Sequence, residues 1–73
     1  MKILFDEDKY KIMWAGAIET AQELDEWCAE SFGSHWGKST IGLPDRAGRV
    51  YVVFGFHRLA HANWFKLKFD KNY

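Results

Sequence analysis

Apolar residues recur at every second position through much of this chain, and at every third or fourth in one stretch near its middle. From Val50 to Phe56, Val50, Val52, Phe54 and Phe56 fall on one side of a period-two pattern, with Tyr51, Val53 and Gly55 on the other. Both sides are mostly apolar, which predicts a central strand. From Trp64 to Asp70 the alternation is cleaner: Phe65, Leu67 and Phe69 share one side, and Trp64, Lys66, Lys68 and Asp70 share the other. That is the pattern of a half-exposed antiparallel strand. Between them, His57 to Asn63 holds Leu59, Ala60 and Ala62 and no Gly or Pro, which predicts about two turns of helix with Asn63 as the stop. Val50, Val52, Phe54, Phe56, Phe65, Leu67 and Phe69 are therefore the expected core of this segment.

The first half of the chain reads in the same way. Lys2 to Phe5 is a short apolar strand and Asp6-Glu7-Asp8 an acidic turn. Lys9 to Trp14 alternates, with Tyr10, Ile12 and Trp14 opposite Lys9, Lys11 and Met13. A β-hairpin is predicted. A helix from Lys9 is the competing reading, opposed by the alternation and by Ala15-Gly16. Thr20-Ala21-Gln22-Glu23 matches a capping box and predicts a helix from Thr20 to Gly33, or from nearer Gly16 if the acidic row is one turn longer. Ala21, Leu24, Cys28 and Phe32 lie on one face, flanked by Trp27, while Glu19, Glu23, Glu26 and Glu30 line the opposite one. Gly37 to Gly42 is a short strand, and Leu43 to Gly48 a Pro- and Gly-containing turn. The resulting order is strand, strand, helix, strand, strand, short helix, strand. It predicts an α+β fold over residues 1–73 as one globular domain: a single small antiparallel sheet of four to five strands, with one main and one short helix packed on one face, ferredoxin-like or related.

Composition narrows the class. A 73-residue chain buries only about 60% of the surface its unfolded form exposes, so it needs a rich core. With 48% apolar and 18% aromatic residues it has one, and disorder is excluded. No run approaches the roughly 20 apolar residues that span a bilayer, and MKILFDEDK lacks the layout of a signal peptide. A cytoplasmic protein with no membrane partner is expected. The single Cys28 has no internal disulfide partner, in keeping with a reducing compartment, and reads as a small core residue. Net charge is zero, yet residues 1–35 carry eight acids and three bases, and residues 36–73 carry seven bases and two acids. The chain is a dipole in sequence, without the net basic excess typical of strong nucleic-acid binders.

Candidate chemistry is sparse. Gly37-Lys38-Ser39-Thr40 resembles the end of a phosphate-binding loop, but the first glycine of that pattern would fall on Phe32, and the flanking elements are in the wrong order. His57 and His61 are four apart on the expected short helix. His35 is the available third ligand, and Arg58 stands where a zinc-protease helix carries glutamate, so no metal or other cofactor is expected. Ser31, Ser34, Ser39 and Cys28 supply nucleophile types without a nucleophile motif, and the glutamates read as a solvated face rather than an acid–base pair. No catalytic residue is assigned, and an enzyme is not expected. Gly48, Tyr51, Val52 and Phe54 match four positions of the RNA-recognition pattern K/R-G-F/Y-G/A-F-V-x-F/Y, with Leu4 and Phe5 on a first strand. Ala47, Arg49 and Val50 depart from it. Tyr51 remains a stacking candidate.

Glu26-Trp27-Cys28, Phe32-Gly33 and the ending Ala60-x-Ala62-Asn63-Trp64-Phe65-Lys66-Leu67-Lys68-Phe69 resemble small uncharacterised proteins encoded by tailed bacteriophages, in which a closing strand of the F-K-L-K-F type follows a helix and further strands. The resemblance implies an accessory factor that binds and redirects a host macromolecule, and carries no functional residues with it. The expected function is a non-enzymatic interaction protein that binds a protein partner, host-encoded if the chain is a phage factor, or pairs with itself as a homodimer. Glu19, Glu23, Glu26 and Glu30, with Trp14, Trp36 and Trp64, are the expected contact residues, and Tyr73 is a further aromatic expected at the surface. The alternative is a single-stranded nucleic-acid binder that uses the sheet, with Tyr51, Lys66 and Lys68 on its working face.

Overall fold

A computed structural model of the chain describes residues 2–69. Its elements are β1 (Ile3–Asp6), β2 (Lys9–Ala17), α1 (Ile18–Phe32), β3 (Gly37–Ile41), β4 (Arg49–Phe56) and α2 (Leu59–Phe69). The expected hairpin forms, and its two-residue turn places Glu7 and Asp8 at φ 52° and 64°. Two left-handed residues match the twist of paired strands, and the short Asp side chain tolerates that region better than most. Every adjacent pair is antiparallel and the sheet order is β1-β2-β4-β3. β2 and β3 thus run parallel on either side of β4, joined by α1. Moving β1 to the end of the chain would give the β-α-β-β-α-β order of a ferredoxin-like fold.

The register sorts the residues onto two faces. Ile12 opposes Phe54, Trp14 opposes Val52, and Ser39 opposes Phe54 from the other side, so these residues share the face that α1 and α2 cover. Val50, Val52, Phe54 and Phe56 are all buried there, as the period-two pattern predicts, with Ala21, Leu24 and Cys28 of α1 above them. β4 is central, as expected.

Three expectations change. The segment from Trp64 is not a fifth strand but the body of α2, which runs through Asn63 without stopping. Asp70, the end of that expected strand, and Tyr73 lie outside the described residues. Phe65 and Phe69 alternate in sequence with Leu67, but with Ala62 they also lie at helical spacing, and the helix is what places Phe65 against Phe54 and Phe56, with ring centroids 4.8 and 5.4 Å apart. Leu67 is 58% exposed and is not core. The Phe65-Lys66-Leu67-Lys68-Phe69 segment, expected as a closing strand, is consequently helical. A helix satisfies its own backbone groups and packs, beside α1, on β2 and β4.

The capping box also fails, because the chain passes straight from β2 into α1. Ala17 is the N-cap, extended at φ −70° and ψ 147°, and no side chain caps the helix. Thr20 sits at the third helical position rather than at the N-cap, where a hydroxyl would accept from the N–H groups of the first turn. Pairing of Gly16 and Ala17 with Val50 and Arg49 carries β2 this far, so the earlier of the two expected starts is the right one. The end at Gly33 is as expected, its N–H donating to Ala29 O at 2.9 Å.

Trp36, expected at the surface, is buried at 5% exposure. It sits in the α1–β3 connection, its ring 5.1 Å from Phe56 and its carbonyl accepting the His57 N–H at 3.1 Å. The next residue must be glycine: Gly37 has φ 148°, and a Cβ there would collide with the Gly55 carbonyl oxygen. The tight crossing folds Trp36 inward. A run of aromatic rings then extends through Phe56, Phe65, Phe69 and Trp27, which is how two helices and four strands absorb more aromatic residues than a single layer would.

Candidate nucleic-acid interface

Among the described residues, the second face of the sheet carries no helix. By register it holds Leu4 and Asp6 of β1, then Lys9, Lys11, Met13 and Ala15 of β2. It continues with Tyr51, Val53 and Gly55 of β4, and with Lys38 and Thr40 of β3. Tyr51 is 53% exposed and Met13 64% exposed. Lys11 and Lys38 both stand opposite Gly55, one from each neighbouring strand. The stem of Lys9 crosses the same glycine, since a Cβ built at Gly55 would lie 3.4 Å from Lys9 Cδ. Gly55 is accordingly buried even on this open face, with the methylenes of Lys9 across it.

These residues border a shallow groove of about 300 Å³, whose walls include Lys9, Lys11, Lys38, Thr40 and Glu7. The groove thus gathers three lysines and one glutamate around Gly55 and Val53. Lys11 is drawn to one side, with Nζ 3.3 Å from Asp6 Oδ2 and 3.8 Å from Glu7 Oε2. Among the described residues, Lys9 and Lys38 have no such carboxylate partner. Along β4, Arg49 and Tyr51 continue the same exposed row, so the face is basic at both ends with an aromatic ring between them.

The residues expected to act divide between surfaces. Tyr51 stands on the open face as expected, but Lys66 and Lys68 do not join it. They lie in the last turn of α2, where cations complement the helix dipole, in the layer on the opposite side of the sheet. Glu19, Glu23, Glu26 and Glu30 are exposed along α1. Trp64 is 55% exposed on α2, with Leu67 one turn further on. Trp14 is half-buried, its ring lying over Gly16, where a Cβ would come within 2.5 Å of it. Lys9, Lys11 and Lys38 were not among the expected site residues. The signal for them was present, because Lys9, Lys11 and Met13 occupy one side of β2 and Tyr51, Val53 and Gly55 one side of β4. Only the register, which sequence spacing alone does not supply, brings the two sides together.

Other chemistry-bearing groups are placed differently. His61 stacks on Phe32 at 4.2 Å and 9°, with Nδ1 buried and unpartnered, while His57 is exposed before α2 begins. Among the described residues no three His, Cys, Asp or Glu side chains gather as a metal set would. Cys28 is buried, and desolvation, reinforced by the charge of Asp25, pushes its thiol from 9.0 up to about 12. It is neutral and unreactive near neutral pH. Ser39 Oγ donates to Asp25 Oδ1 at 2.9 Å in a second groove between α1 and β3, and no imidazole lines it to activate the hydroxyl. Among the described residues no helix is long and apolar enough to cross a membrane. Comparison with protein-family models, with curated proteins and with solved structures found no match to this chain.

Proposed function

We propose that this chain is a non-enzymatic binding module that receives single-stranded nucleic acid on the open face of its sheet. One observation carries the reading: Tyr51, exposed at the middle of that face, is followed along β4 by the groove that Lys9, Lys11 and Lys38 border. An aromatic ring next to clustered cations is what a strand of stacked bases and phosphates needs, and every base offers a face to stack. Zero net charge does not oppose this, because the acidic row of α1 lies in the helical layer while the lysines lie on the other side of the sheet. The match of Tyr51 to an aromatic position of the RNA-recognition pattern supports the same face. The test is binding of a labelled 12-nucleotide oligothymidylate at low salt. Micromolar or tighter affinity that weakens with salt and with Tyr51→Ala is expected, and no binding at low salt would remove the proposal.

A second reading, a protein partner or a homodimer, has its own support. Trp64 and Leu67, at i and i+3 on α2, expose two large apolar side chains on one helix surface, and the acidic α1 row could meet a basic partner. Burial of Trp36 removes one of its expected anchors. Light scattering over a range of concentrations distinguishes the dimer: a dimer dissociated by Trp64→Ala with Leu67→Ala supports it, and a monomer throughout rules out self-association.

A further inference from the structure

The geometry points to a defined length of ligand on this face: a phosphate seated over Gly55 and a base stacked on Tyr51, spaced so that the smallest complete ligand is a trinucleotide. This inference rests on the proposed nucleic-acid reading and adds a second contact point to it. Tyr51 and Gly55 are four residues apart on one strand and on the same face, so about 13 Å separates them at a rise of about 3.3 Å per residue. Phosphates of an extended single strand are roughly 7 Å apart, about twice the 3.4 Å rise per nucleotide of a duplex strand. Two nucleotide steps therefore span the distance between ring and groove. Between the two points the face is apolar, with Met13 opposing Val53, so an intervening base meets methyl and thioether groups rather than charge.

The groove suits a phosphate for reasons independent of Tyr51. Gly55 adds no side chain of its own, so the lysines of the two neighbouring strands approach one another across it, and an anion is met above the Lys9 stem by ammonium groups from both sides. Lys9 and Lys38 supply charge with no carboxylate partner among the described residues, and Lys11 contributes whatever Asp6 and Glu7 release. A lone phosphate should bind weakly here, and a strand that also reaches Tyr51 much more tightly.

Oligothymidylates of one to six nucleotides, with inorganic phosphate as a further probe, test this by calorimetry or competition at low salt. Affinity should rise at least tenfold between two and three nucleotides and only gradually beyond. Tyr51→Ala should weaken the trinucleotide by roughly 5- to 150-fold and leave phosphate binding unchanged. Lys9→Met with Lys38→Met should weaken both probes and make the salt slope shallower by about 0.7, the one phosphate seated in the groove. Lys9→Arg with Lys38→Arg should restore binding. Circular dichroism melts check that each variant is folded. A mononucleotide binding as tightly as a trinucleotide, or a smooth rise with length that ignores the lysine changes, would overturn the spacing while long strands still bound. Failure of the 12-nucleotide strand itself would instead sink the nucleic-acid reading.

Discussion

The two sides of β4 are made by alternate residues of one eight-residue strand and differ in almost everything else. Val50, Val52, Phe54 and Phe56 are buried beneath two helices, while Arg49 and Tyr51 face water and Gly55 lies under the Lys9 stem. The backbone hydrogen bonds are common to both sides, so they do not explain the difference. Apolar burial does: at roughly 25 cal/mol per Å² the covered side supplies much of the stability of a small chain. The open side is released from packing demands. A tyrosine and three lysines there are not explained by the core, which makes them the better candidates for function.

The largest expected effect breaks or confirms that division. Phe54→Ala should destabilise by about 3–5 kcal/mol, a large fraction of the roughly 4–11 kcal/mol expected for a chain of this size. Tyr51→Ala, three residues away on the other side, should stay within about 0.5 kcal/mol. Urea midpoints measure both, and similar losses would mean that Tyr51 is structural. The same measurement separates the faces of α2: Phe65→Ala should cost about 3–5 kcal/mol and Leu67→Ala under about 1 kcal/mol. A strand over these residues would make the two losses comparable.

That pair of residues also shows what the sequence could and could not reveal. The buried side of β4 followed from period, the hairpin from its alternation together with Ala15-Gly16, and the end of α1 from Gly33. In the last segment both periods fit: Phe65, Leu67 and Phe69 alternate, and Ala62, Phe65 and Phe69 repeat at helical spacing. The tie is resolved by tertiary packing, since the helical set buries Ala62 and Phe65 fully against the sheet while Leu67 stays exposed. For the site, Tyr51 was legible as an outward residue of β4. The lysines around it were not, because Lys9 and Lys11 belong to the acidic half of the chain and Lys38 to the basic half. Charge summed along the sequence separates what strand register brings together. Trp36 was misplaced for a related reason: whether a loop aromatic turns inward depends on the Gly37–Gly55 crossing, a contact between residues 18 positions apart.

A middle-sized effect probes the helix side of the comparison. The Cys28 thiol has its pKa raised from 9.0 to about 12 by burial and by Asp25. Above pH 9 the unfolded chain loses this proton while the folded chain keeps it, so the contribution of Cys28 to stability is full below pH 9 and falls as pH rises toward 12. The slope is up to about 1.4 kcal/mol per pH unit in that window. Urea midpoints at pH 8, 9.5 and 10.5 for the native chain and Cys28→Ala isolate the contribution of this thiol. The native chain should lose more stability than the variant, and parallel curves would show that the thiol is not desolvated.

The smallest expected effect belongs to the open side. Lys11 is shared between Asp6 and Glu7, whose carboxylates are largely exposed, and exposed ion pairs contribute about 0–1 kcal/mol. Glu7→Gln keeps the turn's side-chain length and should change the urea midpoint hardly at all. It removes a negative charge from the wall of the groove and frees Lys11 toward an incoming phosphate, so affinity for an oligothymidylate should rise by a factor of about 2 to 5 at low salt, the scale of one screened charge contact. The gain should shrink toward 0.5 M salt, where screening acts within a few ångströms. Fluorescence anisotropy at two ionic strengths measures both. Improved binding without improved stability keeps the two sides of the sheet separate in function as they are in packing, whereas a salt-independent change would place the effect in the turn's conformation rather than in the field of the groove.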